Sequence, residues 1–520
     1  MSTTRTDRKR FASGVLLLAV CSLIAKLLGA VYRIPLTNLL GAQGIGQYQL
    51  VFPMFAFLLA VVCGAMPIAL ARTVAAQNAL DDNAAIRTYV RAATQCMLWA
   101  GIGGSILALA LALPLARLQS QASMAWGYVA IAPAIAAVAL ANVCKGWFLG
   151  HGDTRPNAIV QLVEQAIKLT AGLLLAAWGA QFGVVWGVVG ALAGVTVSEI
   201  VGALVCWIWM ARELRAMPRF ELHAARVRQA RNALVRTMTP IAASGLLFPT
   251  IAFADSLMLV QLLVWGGADK SDATAQYGLL TGPVNSLVNM PVVLSLSIAV
   301  AIVPAIGSML ARNDYMQVKS RTSRSILCSA AIGAPCLAGL IVFARPILRI
   351  LYPALSDAQT DTAVVLLRVQ SVNVLLLSQL EIFNATLQGM GRSKAVVLNV
   401  AIGGALKLAV QAVSVPLIGI VGACVASVTF YGVAWILNWS VYREMVGKNQ
   451  ILLQNVGKIL LSGVIIGAVM YACSVMIASR WTQLIVGASA GGAIYCALLV
   501  AWLGADAGNL PLLRKTRSRP

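Results

Sequence analysis

Residues 14–72 read GVLLLAVCSLIAKLLGAVYRIPLTNLLGAQGIGQYQLVFPMFAFLLAVVCGAMPIALAR. Between Gly14 and Ala71 the only charged residues are Lys26 and Arg33. A helix crosses about 30 Å of hydrocarbon in about 20 residues. The stretch is therefore too long for one crossing and suits two, over 11–34 and 48–71. Unbroken apolar runs of this length fit helices, because a barrel strand would alternate and be about half as long. Pro35 beside Arg33, with Gly29 before it and Gly41 beyond, predicts a first helix that bends to open a cavity. Arg8-Lys9-Arg10 ahead of the run resembles the start of a signal peptide. The apolar part is too long and lacks a small-residue cleavage site, so it reads as the first helix.

The pattern continues along the chain. Fourteen apolar runs follow one another, the rest being 89–113, 124–148, 159–178, 186–210, 237–264, 279–308, 326–351, 366–387, 397–416, 420–442, 455–477 and 481–503. The 520 residues are 60% hydrophobic and 11% charged, with a mean hydropathy of +0.84. Soluble domains run about 45–50% apolar and about 25% charged. A soluble globular protein is excluded, and the expected fold class is an all-α polytopic membrane protein of about 14 transmembrane helices. All ten cysteines lie inside apolar runs, so no disulfide framework is expected. His151 and His223 stand far apart in basic loops with no cluster around them, which argues against a metal site. No phosphate-binding loop, Ser/His/Asp set or cofactor motif is present, so no cofactor and no enzymatic centre are expected.

Charge fixes the orientation. Lys+Arg number 39 against 17 Asp+Glu, a net charge of +22. In a soluble chain this would suggest nucleic acid. Here the loops account for it: one set of alternate loops holds 28 lysines and arginines, the other only Arg117, Lys270 and Arg480. The positive-inside rule then puts both termini in the cytoplasm of a bacterial inner membrane and requires an even helix number, with no nucleic-acid partner implied. The longest loop, 211–236, carries seven arginines and is too short for a soluble domain. The opposite loops are short and nearly uncharged, which disfavours a saccharide polymerase or ligase.

The halves resemble each other. WFLGHGDTRPNAIVQLVEQAIKL at 147–169 and TLQGMGRSKAVVLNVAIGGALKL at 386–408 match at an offset of 239, pairing Gly150 with Gly389, Gly152 with Gly391 and Lys168 with Lys407. Gly187-Val-Val-Gly190-Ala matches Gly419-Ile-Val-Gly422-Ala, Arg212-Glu213 matches Arg443-Glu444, and Ala71-Arg72 is paired with Ala311-Arg312. Six helices separate the copies, so the repeat is parallel, as in transporters built from two like lobes. The expected organisation is an N-terminal segment 1–10, a six-helix lobe 11–212, a basic linker 213–236, a second six-helix lobe 237–443, helices thirteen and fourteen within 444–503, and a basic tail 504–520.

Charges inside the spans remain. Lys26 and Arg33 sit seven residues apart on the first helix, on one face and about 10 Å apart. A charge at membrane depth costs several kcal/mol unless it faces water or a partner. Lys168 has Glu164 one turn before it, the spacing of an ion pair, whereas Lys407 has no such acid. Arg349 and Arg368 lie near helix ends and read as snorkelling to the interface, a reading also open for Lys145 and Arg345. The acids within spans are Glu164, Glu199, Asp255 and Glu381. Asp255 and Glu164 are candidates for ion coupling or for neutralising a cavity cation, with Glu199 and Glu381 ranked as packing contacts.

With Lys26, Arg33, Ile34, Pro35, Leu39-Leu40-Gly41, Gly46 and Tyr48, with Pro67 to Arg72, and with the Gly150-x-Gly152 and Gly389-x-Gly391 turns and Asp255, the sequence resembles the stage V sporulation protein B-like polysaccharide exporters. These are relatives of the lipid II flippases in the multidrug/oligosaccharidyl-lipid/polysaccharide exporter superfamily. The resemblance implies two six-helix lobes in a V around a cationic cavity, with helices thirteen and fourteen forming a groove for a lipid tail. It implies as substrate an undecaprenyl-pyrophosphate-linked saccharide moved between leaflets by alternating access. The expected substrate-binding cations are Lys26, Arg33, Lys168 and Lys407, coupled to a monovalent cation or the membrane potential, in a monomer. Lipid II flippases carry further cavity arginines on helices two and eight. Here the second helix is uncharged until Arg72, and the eighth has Gly282-Pro283. The alternatives are a cation/drug antiporter of the same superfamily, which would want an acid-dominated cavity, and the membrane polymerase or ligase.

Overall fold

In a computed structural model, residues 5–218, 220–221, 223–447, 450–477 and 479–503 are described. The basic tail expected over 504–520 and Lys448 lie outside them. Among the described residues the chain is helical with no strand, and thirteen helical segments are long and apolar enough to span a membrane. The polytopic all-α class is thus observed.

The chain divides into two compact units, Met1–Val264 with Ala268–Gly278, and Trp265–Gly267 with Leu279–Pro520. The first is built from α1 (Arg5–Val62), α2 (Met66–Asn78), α3 (Asn83–Leu118), α4 (Ala125–Gly150), α5 (Arg155–Ala180), α6 (Val184–Ala216), α7 (Ala224–Gly245), α8 (Leu247–Trp265) and α9 (Lys270–Leu279). The second is built from α10 (Asn285–Leu310), α11 (Tyr315–Val342), α12 (Ala344–Leu351), α13 (Asp357–Gln370), α14 (Val372–Gly389), α15 (Ser393–Ile418), α16 (Val421–Val446), α17 (Gln450–Met476) and α18 (Arg480–Leu503). Gly282-Pro283 falls in a π-helical turn, Leu280–Val284, before α10.

The first candidate span, Val20–Asn78, is 59 residues long, about 88 Å of helix. It therefore holds the first two crossings, which reconciles thirteen segments with fourteen apolar runs. No loop separates these crossings: the segment between 34 and 48 is helical, and the corner is Gly41, with φ 69° and ψ −178°. Proline at 35 does not break α1, and the turn is made where the backbone needs the left-handed region that glycine tolerates. From Gly41, Arg33 lies about 12 Å and Lys26 about 22 Å down the first leg.

The segment read as a basic linker is mostly helix. α6 runs on to Ala216, and α7 buries Val227, Ala230 and Leu234 in an apolar cluster shared with Ile86, Val90, Ala93 and Met97 of α3. The apolar run placed over 237–264 begins inside α7, and the spanning helix proper is α8.

The repeat has a geometric basis, with one register corrected. Gly152 and Gly391 have φ of 75° and 76°, and a Cβ on Gly150 or Gly389 would press on Val74 or Ile306 respectively. The partner of α2 in the second unit is therefore displaced by 232 residues, not the 240 that pairs Ala71-Arg72 with Ala311-Arg312. The corner after each helix agrees. Asp81 and Asn313 have φ of 54° and 56°. Asp82 accepts from the Ala85 N–H at 2.8 Å, and Asp314 accepts from the Gln317 N–H at 2.9 Å. Two alanine–arginine pairs misled the alignment, because the shared feature is an N-cap and turn rather than the residues beside it.

Candidate functional site

The first leg of α1 packs along α5. Ser22 Oγ donates to Gln161 Oε1 at 2.9 Å. One turn beyond Arg33, Thr37 Oγ1 donates back to the Arg33 carbonyl at 2.7 Å. Tyr32 is buried against Gly172 of α5, where a Cβ would come within 2.7 Å of the tyrosine oxygen. This contact turns Tyr32 inward and sends its neighbour Arg33 to a half-buried position, while Lys26 on the same face as Arg33 is exposed.

Lys168 does not pair with Glu164. Its Nζ lies 5.6 Å from the ring centroid of Tyr32 and 5.1 Å from that of Phe52, a cation between two aromatic faces. Glu164 turns instead to α4, where Lys145 Nζ donates to its Oε1 at 2.9 Å. Gly202 of α6 opens the space: a Cβ there would stand 2.4 Å from Glu164 Cγ. Lys145 is thus an ion-pair partner rather than a snorkelling cation. Glu199, half-buried on α6, interacts electrostatically with Lys145, Lys168 and Glu164, and Lys168 also feels Arg33.

Four helices, α1, α4, α5 and α6, therefore gather cations and acids inside one unit. Lys145 pairs with Glu164, Lys168 and Glu199 interact electrostatically, and Lys26 and Arg33 stand on α1 of the same unit. Such cations suit an anionic group, and a phosphate meets guanidinium and ammonium well. Sequence reasoning ranked Glu199 as a packing contact and gave Lys145 no role here, because their partners come from other helices. The paired small residue at Gly202 was the available signal.

The other expected residues lie elsewhere. Asp255 is half-buried on α8, within electrostatic reach of Tyr277, and its neighbour Phe253 stacks on Phe57 at 5.3 Å. Lys407 is buried on α15 of the second unit, near Cys424, so the two equivalent lysines belong to different units. On α12, Arg345 pairs with Asp361 and Arg349 with Asp357. Arg368 Nε donates to the Ile341 carbonyl at 3.2 Å. These three arginines make helix-clasping contacts near helix ends.

The second unit contains an apolar cavity of about 350 Å³ between α11, α14, α16 and α17, walled by Phe383, Trp435, Trp439, Leu452 and Leu460. Its one amide, Gln379, donates to the Ile326 carbonyl at 3.1 Å. No described lining residue comes from α18.

Known proteins share this architecture. The chain is 23% identical over 432 residues to stage V sporulation protein B of Bacillus subtilis (strain 168), covering 81% of each chain. It is 22% identical over 520 residues to lipid II flippase MurJ of the same organism, covering 93% of each. A solved structure of lipid II flippase MurJ in an inward closed conformation superposes with a TM-score of 0.73 at 13% identity, over 95% of this chain and 100% of that one. The MatE model matches residues 240–413, and the model described as polysaccharide biosynthesis protein matches residues 11–310. The chain, more than half of it covered by that second model, belongs to the polysaccharide biosynthesis protein family.

Proposed function

We propose that this protein is a flippase that moves an undecaprenyl-diphosphate-linked saccharide, lipid II or a related cell-wall or polysaccharide precursor, from the inner to the outer leaflet of a bacterial inner membrane by alternating access. Both termini lie in the cytoplasm, and the protein works as a monomer without catalysing a covalent step. The observation that carries this reading is the pair Lys26 and Arg33 on one face of the first span. Lys26 is exposed and Arg33 half-buried, and a cation within a span is stabilised by water or by a polar partner. The α1 cations supply ammonium and guanidinium donors of the kind that suit a diphosphate. Lys407 in the second unit is a further headgroup contact, and Asp255 serves in coupling to a monovalent cation or the membrane potential. The aromatic-walled cavity beside α17 is of a kind to hold part of a prenyl tail.

The test is survival of cells whose essential lipid II flippase can be shut off. This chain should restore growth, and Lys26→Ala or Arg33→Ala should abolish the rescue at equal membrane expression. Rescue by both variants would remove these residues from the site. No rescue by the wild type would move the reading to another polyprenyl-linked polymer, or to the cation/drug antiport that the MatE match over 240–413 favours.

A further inference from the structure

Every lysine or arginine of 211–236 is arginine. Six of the seven are described: Arg212 and Arg215 on α6, and Arg226, Arg228, Arg231 and Arg236 on α7, all exposed. The end of α6 and α7 are both tied to α3 here. Arg87 of α3 donates to the Leu214 and Met217 carbonyls, the latter at 2.9 Å, and so closes the end of α6. α7 lays Val227, Ala230 and Leu234 against α3 in the cluster that also buries Cys206 and Met210 of α6. With its apolar stripe buried, α7 turns its arginines outward.

Beside them a groove of about 580 Å³ runs along the last turns of α6, from Val205 and Ile208 past Trp209 to Arg212 and Glu213. Its order is apolar, then aromatic, then guanidinium, which follows the order of acyl chain, glycerol and phosphate at a membrane interface. Glu213 is the acid within the groove, and its Oε2 accepts from the buried Trp147 indole N–H at 2.9 Å. The asymmetric distribution of loop charge accounts for cations on this side of the membrane but not for a lined groove.

We propose that this end of the first unit is a docking surface for anionic phospholipid, with phosphate held by Arg212, an acyl chain seated along Val205 and Ile208, and the exposed α7 arginines adding to the positive charge of the same end. Guanidinium takes phosphate oxygens through two parallel N–H donors, a better match than an ammonium point charge. The proposal is independent of the transported substrate.

The purified full-length protein in neutral detergent, titrated with phosphatidylglycerol or phosphatidylcholine, gives the test by native mass spectrometry. The wild type should retain phosphatidylglycerol about tenfold better than phosphatidylcholine, since each interfacial arginine near an anionic surface contributes measurably. The combined Arg212→Gln, Arg228→Gln, Arg231→Gln and Arg236→Gln variant should lose that preference. A control with Arg312→Gln, Lys319→Gln, Arg321→Gln and Arg324→Gln, equal in charge change, should keep it. Ile208→Trp, which fills the groove without altering charge, should lower retention severalfold, and single Arg212→Gln covers the case in which the combined variant fails to fold. Equal retention by wild type and arginine variants, or equal loss in the control, overturns the proposal. A mass shift to a dimer in place of bound lipid would assign the face to a second copy instead.

Discussion

Lys145 Nζ lies 2.9 Å from Glu164 Oε1, and through that contact α4 takes the carboxylate that helix spacing alone would give to Lys168. Lys168 is left between the rings of Tyr32 and Phe52. The pair joins α4 to α5 next to the helix that carries Lys26 and Arg33.

Breaking that pair should destabilise the protein. Removing one partner of a fully buried pair costs about 3–5 kcal/mol, because an uncompensated charge is left behind. The Glu164 side chain is 8% exposed but Lys145 is 24% exposed, so about 2 kcal/mol is expected for Glu164→Gln. The double variant Lys145→Met with Glu164→Leu should recover most of it, since no charge is stranded. Unfolding midpoints in detergent read both, and a Glu164→Gln midpoint equal to wild type would mean the pair contributes nothing.

The corner at Gly41 gives a second expectation. No atom lies within 4 Å of a Cβ built there, so Gly41→Ala meets no steric clash and its cost is conformational alone. A residue with a side chain at φ 69° should lose about 1 kcal/mol. With ψ at −178° the corner lies outside the αL well that asparagine tolerates, so Gly41→Asn should lose about as much as alanine. Unfolding midpoints in detergent check this, and variants as stable as the wild type would mean the corner does not need glycine's backbone freedom.

Much of the fold was legible because the membrane imposes it. Apolar runs and loop arginines follow from the cost of exposing polar groups to lipid, and they are visible one residue at a time. The corner at Gly41 was half legible: the glycine was noted, but Pro35 drew the bend forward, although proline with a neighbouring turn of slack can stay in a helix. What the sequence hid was pairing between helices. Glu164 has a lysine at the right spacing on its own helix, and only the gap at Gly202 decides that it faces α4 instead. The α2 register was hidden for a related reason, since the conserved geometry is a side-chain cap at Asp82 and Asp314.

Those caps make a paired prediction. Each aspartate satisfies an N–H in the first turn of its helix, α3 or α11, through the same turn geometry. Alanine at an N-cap costs about 1 kcal/mol. Asp82→Ala and Asp314→Ala should therefore lower the unfolding midpoint by similar amounts, and asparagine at either site should restore most of it. A large inequality between the two would show that one corner does something besides capping.

The second unit rests on an amide relay whose removal is informative. Asn399 Nδ2 donates to Asn438 Oδ1 at 2.8 Å, and Asn438 Nδ2 donates on to Asn384 Oδ1 at 2.7 Å, linking α15, α16 and α14. All three residues are buried, so none of these groups can turn to water instead. Hydrogen bonds between helices in a bilayer average about 0.6 kcal/mol and reach about 1.7 kcal/mol. Asn438→Leu removes both and strands a donor on Asn399 and an acceptor on Asn384, so a loss of about 2 kcal/mol is expected. Replacing all three with leucine strands nothing and should be less costly than the single change, because two unmet polar groups in a dry interior outweigh two absent bonds. Unfolding midpoints of the single and triple variants decide it. A triple variant less stable than Asn438→Leu would mean that the relay is valued for its bonds, and not merely for leaving no polar group unmet.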